Sequence, residues 1–93
     1  MITAQQVSII KNILSPFRPE YIGFFGSFAR DEQHPASDLD ILVRFGKRLT
    51  LFDLVGLEQE LSESLGIKVD LVTENALSPQ IKQFVERDIR QIA

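Results

Sequence analysis

The sequence predicts a small α/β (α+β) fold with the element order α-β-α-β-α-β-α. Apolar residues recur at helical spacing in separate segments, three short β-branched or aromatic runs lie between them, and proline or glycine stands at most boundaries. A chain of 93 residues is long enough for one hydrophobic core, so we expect a single domain, residues 1–93. The predicted architecture is a mixed three-stranded sheet that is covered by helices on one face.

Capping residues mark the helices. Thr3 and Gln6 have capping-box spacing, Thr50 precedes a leucine-rich stripe that stops at Gly66, and Ser78 precedes a proline. The segment between the second and third strands includes a helix and can form a parallel crossover, whereas the first two strands are expected to be antiparallel neighbours. The predicted elements in order are helix 3–17, strand 20–25, short helix 27–32, strand 38–45, helix 50–65, strand 67–73 and a last helix after Ser78.

The apolar pattern also predicts which side chains face the core. The second strand should bury one alternating set, and two helices should bury a stripe each. Six aromatic residues are expected to be mostly buried, with the remainder in a partner interface, and three glutamates should face solvent. The alternating set of the second strand is Leu39, Ile41 and Val43. The stripe of the middle helix is Leu51, Leu54, Val55, Leu57, Leu61 and Leu65, and that of the last helix is Ile81, Phe84, Val85, Ile89 and Ile92. The aromatic residues are Tyr21, Phe24, Phe25, Phe28, Phe45 and Phe52, and the glutamates are Glu58, Glu60 and Glu63.

Composition excludes several classes of protein. The net charge of −3 argues against stable nucleic-acid binding, which usually requires a basic surface. No apolar run approaches the roughly 20 residues of a membrane span, and the N-terminus lacks the pattern of a secretion signal. The chain has no cysteine, which fits a reducing compartment. We therefore expect a cytoplasmic protein with no membrane association.

Three aspartates carry the candidate chemistry. Asp38 and Asp40 are two residues apart in a strand, so they project from the same side with Cα atoms about 6.6–6.8 Å apart. Asp70 lies inside the third strand, at a similar height if the two strands are parallel. Carboxylates in this arrangement can bracket a pair of Mg²⁺ ions, and Asp70 is placed to act as a general base or an electrostatic aid.

A glycine turn precedes the aspartates. Gly26 lets backbone approach phosphate closely, Ser27 adds a hydroxyl donor, and Arg30 can offer a guanidinium fork to phosphate oxygens. Together with a metal, these groups suit in-line attack on a phosphorus of a bound nucleotide phosphate, a reaction that needs mainly positioning and charge neutralisation.

The motifs Gly-Ser-Phe-Ala-Arg, Ser-Asp-Leu-Asp-Ile-Leu-Val and Val-Asp-Leu-Val resemble those of the nucleotidyltransferase superfamily of DNA polymerase beta, in its minimal (MNT) branch. The resemblance spans the first through the third strand. It implies that Asp38, Asp40 and Asp70 bind Mg²⁺ and that Gly26 and Ser27 hold the phosphates of ATP. One residue departs from the pattern: Asp31 stands where many members have glycine.

The same resemblance implies a protein partner. Minimal members resemble antitoxins that transfer AMP from ATP to a tyrosine of a HEPN-domain toxin, so a hetero-oligomer is expected. Two alternatives stay open: an antitoxin that neutralises its partner by binding alone, and the catalytic subunit of a two-component enzyme that acts on an antibiotic or a nucleic-acid end.

Each motif also has a purely structural interpretation. Asp70 can serve as a charge that protects an edge strand from aggregation, and Arg30 can simply pair with Asp31 or Glu32. The basic cluster formed by Arg44, Lys47 and Arg48 is expected to be a solvated turn.

Overall fold

The computed structural model describes residues 2–93 and contains one mixed sheet with helices on both of its faces. Among these residues, no helix is long and apolar enough to cross a membrane. The regular elements are α1 Ala4–Leu14, β1 Pro19–Phe25, β2 Leu39–Phe45, α2 Leu51–Leu65, β3 Val69–Thr73, α3 Pro79–Asp88 and β4 Arg90–Gln91, with short 3₁₀ turns at Ser15–Phe17, Gly26–Phe28 and Glu74–Ala76.

The predicted helix starts are confirmed by their hydrogen bonds. Gln6 N donates to Thr3 Oγ1 at 3.1 Å and Thr3 N donates to Gln6 Oε1 at 2.8 Å, which completes the capping box of α1. Thr50 forms the same reciprocal pair with Asp53 at the start of α2. The helix predicted over 3–17 stops at Leu14, because Pro16 converts its last turn into a 3₁₀ turn.

The sheet has four strands in the order β3-β2-β1-β4, so the prediction of three strands was wrong. The added strand β4 is two residues long and pairs antiparallel with β1, Gly23 opposite Gln91. The sequence pattern did not indicate it, because two residues are too few for an alternation and its flanking isoleucines were assigned to the last helix. The predicted pairings are confirmed: β1 and β2 are antiparallel, and β2 and β3 are parallel.

The main core lies on one face of the sheet, where α1 and α2 pack against each other. The prediction that helices cover only one face was wrong, because α3 covers part of the opposite face. Val85 of α3 is buried there and borders the same small cavity as Leu42, a residue on the reverse face of β2. The main core comprises Ile10, Leu14, Ile22, Phe24, Phe28, Ala29, Leu39, Ile41, Val43, Leu57, Leu61 and Val69.

Several predicted core positions are exposed instead. On α3, which ends at Asp88, Ile81 and Phe84 face outward and only Val85 of the predicted stripe is buried within the helix. At the start of α2 the exposed residues are Leu51, Val55 and Phe52, whose residue surface is 90% accessible. Of the six aromatic residues, Phe24 and Phe28 are buried, whereas Tyr21, Phe25 and Phe45 are partly buried.

Candidate active site

The register of the sheet brings the predicted carboxylates together. Asp40 of β2 lies directly opposite Asp70 of β3, as the parallel pairing predicted. Asp38 precedes β2 and is two residues before Asp40, and its carboxylate lies 3.8 Å from Lys68 Nζ. Asp40 is partly buried and Asp70 is exposed, so the cluster runs from the sheet interior to its outer strand.

The electrostatics of the cluster are unfavourable without a counter-ion. Burial, followed by the charges of Asp70 and Asp38, raises the pKa of Asp40 to about 6, and the Arg30 guanidinium opposes this shift. A carboxyl pKa is raised by neighbouring anions because each ionised group makes the next ionisation harder. The three aspartates are therefore close enough to repel one another.

The donor set fits Mg²⁺. Within residues 2–93 no three acidic or histidine side chains already converge as a complete ligand set. Mg²⁺ does not require one, because it commonly takes one or two carboxylates and fills its other positions with water and substrate phosphate. Asp38 and Asp40 can supply the carboxylates, and a cation between them would relieve the repulsion that adds to burial in raising the pKa of Asp40.

The outer edge of β3 bears on the role of Asp70. Leu71 N donates to Glu58 Oε2 at 2.8 Å and Val69 N donates to Ser62 Oγ at 2.9 Å, so side chains of α2 already bind the outward N–H groups of this strand. The expectation that Glu58 simply faces solvent was wrong. Because these bonds cover the edge, a protective charge at Asp70 is less needed to prevent strand pairing.

The Gly26 turn lies against the carboxylate cluster. Phe25, the last residue of β1, pairs with Asp40, and the backbone then turns at Gly26 with φ of +77°. A β-carbon at Gly26 would collide with Asp40 Oδ2, so any larger residue here would displace that carboxylate oxygen. The short helix predicted over 27–32 is a single 3₁₀ turn, Gly26–Phe28, followed by an irregular segment in which Glu32 N donates to Ser27 O at 2.8 Å.

Arg30 forms an ion pair that the sequence did not indicate. Its Nη1 lies 2.6 Å from Asp88 Oδ2 at the end of α3, and its Nε lies 3.3 Å from Glu32 Oε2. The two residues of the first pair are 58 positions apart, which no local pattern can reveal. The next residue, Asp31, has φ of +59°, which explains why glycine suits this position in the family.

The basic cluster lies away from the aspartates, at the opposite ends of β2 and β3. Arg44, Lys47 and Arg48 border a cavity of about 430 Å³ there. Arg44 is paired with Glu20 at 3.4 Å and with Glu74 at 3.3 Å. These contacts agree with the predicted structural role of the cluster, and the cavity does not include the candidate site.

The raised pKa of Asp40 gives a prediction about stability. The folded state holds the Asp40 proton more tightly than the unfolded state does. The free energy of unfolding therefore falls as pH rises from about 4 to 6, and it stays at the lower value above pH 6. Because the carboxyl group is partly exposed to water, we expect this loss of stability to be about 1–2 kcal/mol. In EDTA at pH 7, Asp40→Asn is expected to be more stable than the wild type by that amount.

Thermal unfolding of both proteins from pH 4 to pH 8 measures this difference. It should grow between about pH 4 and 6, stay level above pH 6 and shrink when Mg²⁺ is added, because the cation stabilises only the wild-type cluster. A difference that is the same at every pH would contradict the assignment.

Comparison with known proteins agrees with the geometry. The nucleotidyltransferase domain family model matches residues 7–92. Protein adenylyltransferase MntA of Thermococcus cleftensis is 35% identical over 94 residues, with 96% of this chain and 95% of that protein covered.

Two solved structures share the fold. One is a toxin–antitoxin crystal structure with AMP-PNP, which superimposes with a TM-score of 0.85 at 29% identity and covers 94% of this chain and 72% of its own. The other is a tri-AMPylated Shewanella oneidensis HEPN toxin in complex with its MNT antitoxin, with a TM-score of 0.78, 25% identity and coverage of 96% and 70%. The family model alone spans nearly the whole chain, and the sheet register sets the motif aspartates side by side. The chain belongs to the nucleotidyltransferase domain family, and its fold is that of the minimal members.

Proposed function

We propose that this protein is a Mg²⁺-dependent protein adenylyltransferase that transfers AMP from ATP to a tyrosine hydroxyl of a HEPN-type toxin and thereby acts as an antitoxin. The observation that carries the proposal is the register of Asp40 opposite Asp70, with the Gly26 turn against the same carboxylates. ATP and Mg²⁺ are abundant in the cytoplasm, which is the proposed site of action.

The relatives support the acceptor and the donor separately. The Thermococcus relative is named a protein adenylyltransferase, the first solved structure contains an ATP analogue, and the second contains an AMPylated HEPN toxin bound to an MNT antitoxin. This chain also exposes large apolar side chains on α2 and α3, a surface property typical of proteins that bind other proteins.

The proposed reaction is an in-line displacement at the α-phosphorus of ATP. Asp70 accepts the proton of the tyrosine hydroxyl, the phenolic oxygen forms the new P–O bond, and the bond to the bridging oxygen breaks to release pyrophosphate. Gly26, Ser27 and Arg30 hold the phosphates, and Asp38 and Asp40 hold the metal. Bound Mg²⁺ supplies charge neutralisation for the triphosphate and the leaving pyrophosphate.

Isotope position tests the reaction class. We expect the HEPN partner to gain label from ATP labelled at the α-phosphate and none from ATP labelled at the γ-phosphate. EDTA should abolish the transfer. Replacement of the acceptor tyrosine by phenylalanine, which lacks the hydroxyl, should abolish labelling at that position of the partner. Transfer of the γ-label, or of neither label in the presence of Mg²⁺ and the partner, would refute an adenylyltransferase.

A further inference from the structure

The C-terminal segment, residues 88–91, contacts the turn of residues 26–30 at two places. Arg30 Nη1 donates to Asp88 Oδ2 at 2.6 Å, and Arg90 Nε donates to Ala29 O at 3.0 Å. Residues 88–90 join the end of α3 to β4, which pairs with β1 just before the turn. The turn of residues 26–30 is therefore held in place by residues 88–90, a short segment that is distant from it in sequence.

The Arg30–Asp88 pair differs from an ordinary surface ion pair. The Asp88 side chain is only 12% exposed, so its carboxylate has little freedom and little competing water. Glu32, the second partner of Arg30, has a side chain that is 65% exposed and lies farther away at 3.3 Å. A short charge-assisted hydrogen bond to a shielded carboxylate fixes a guanidinium more strongly than an exposed contact does.

The Arg30 guanidinium keeps one nitrogen without a partner in the described part of the chain. Asp88 and Glu32 occupy Nη1 and Nε, and among residues 2–93 its Nη2 takes no partner. The backbone N of Arg30 donates to Gly26 O at 3.1 Å, and Gly26 lies against the Asp40 carboxylate. The turn that borders the carboxylate cluster therefore carries a guanidinium with one donor left over.

We propose that Asp88 is a positioning residue for the triphosphate: it holds the Arg30 guanidinium so that the remaining donor meets a phosphate oxygen of the nucleotide. The inference rests on the proposed function. An unanchored arginine would have to lose its side-chain freedom each time ATP binds, whereas the pair with Asp88 has already restricted it. Asp88 does not touch the substrate. Its second partner, Arg87, is 70% exposed and lies 4.0 Å from Asp88 Oδ1, so Arg30 is the stronger partner through which Asp88 acts on the nucleotide.

The test is a double-mutant cycle with Asp88→Asn, Arg30→Ala and the double variant, measured as ATP affinity in Mg²⁺ and as KM and kcat for AMP transfer. Asp88→Asn is expected to weaken ATP binding and raise KM about tenfold, with a smaller change in kcat, because a charge-assisted hydrogen bond is lost. In the Arg30→Ala background, Asp88→Asn should have no further effect on affinity. Glu86→Gln, which removes an exposed charge from the same helix, should behave like the wild type.

Each result has a distinct meaning. The inference would be overturned if Asp88→Asn weakened ATP binding equally in the wild-type and Arg30→Ala backgrounds. It would also be overturned if Asp88→Asn lowered the melting temperature and left ATP affinity unchanged, because Asp88 would then be a structural residue. Tighter ATP binding by Asp88→Asn would also overturn it, because Asp88 would then compete with phosphate. Failure of the wild type to bind ATP or transfer AMP would instead refute the proposed function.

Discussion

Replacing Asp38 and Asp40 together with asparagine is expected to lower AMP transfer by about 10³-fold or more, because the site then lacks the carboxylates proposed to hold Mg²⁺ and loses several kcal/mol of transition-state stabilisation. Unfolding is not the expected cause, since Asp40→Asn is expected to stabilise the metal-free protein. The measurement is single-turnover transfer of α-labelled AMP to the HEPN partner. Equal transfer by the wild type and the double variant would contradict the catalytic assignment.

A matched control removes two negative charges elsewhere. Glu60 and Glu63 are exposed on α2, so Glu60→Gln with Glu63→Gln changes the net charge equally and should leave transfer unchanged. The same proteins distinguish enzyme from binding antitoxin in cells. If the double aspartate variant still neutralises the toxin as well as the wild type, neutralisation depends on binding alone.

Replacing Gly26 with alanine is expected to cost about 2–4 kcal/mol of folding stability and to lower AMP transfer about 10²-fold. Two effects add: a residue with a β-carbon is strained at φ of +77°, and that β-carbon meets Asp40 Oδ2. The carboxylate must move away from the position that faces Asp70. Chemical denaturation and the label-transfer assay measure the two losses separately.

Two other glycines separate these effects. Gly66 ends α2 with φ of +69° and has open space around its missing β-carbon, so Gly66→Ala reports the backbone strain alone, about 1–2 kcal/mol. Gly56 lies within α2 in open space, and Gly56→Ala should stabilise the protein by about 0.5–1 kcal/mol. A cost at Gly26 no larger than that at Gly66, with normal transfer, would show that the contact with Asp40 has no importance for activity.

Local patterns predicted most of what positions the site. The Thr3 and Thr50 caps, the antiparallel and parallel pairings, and the placement of Asp40 level with Asp70 follow from short motifs and from the length of one crossover. These features depend on residues near one another in sequence or on a period of two along a strand. They are therefore visible without coordinates.

The remaining features depend on tertiary contacts. The last helix was predicted to bury Ile81 and Phe84, but α3 lies on the reverse face of the sheet, where Val85 and the following Ile89 border the same cavity as Leu42. A hydrophobic stripe reports that a face is apolar and does not report which surface covers it. The pairing of Arg30 with Asp88 joins distant segments and carries no sequence signature.

The exposure of Asp70 on the outermost strand bears on how an acceptor would be chosen. A side chain that bulk water already reaches can be approached by a folded macromolecule, so a hydroxyl on its surface can enter the proposed reaction without any rearrangement of the enzyme. Discrimination among acceptors then falls to the fit between two protein exteriors. Substrate range would accordingly evolve through changes in the surface residues around Asp70, while the aspartates stay the same.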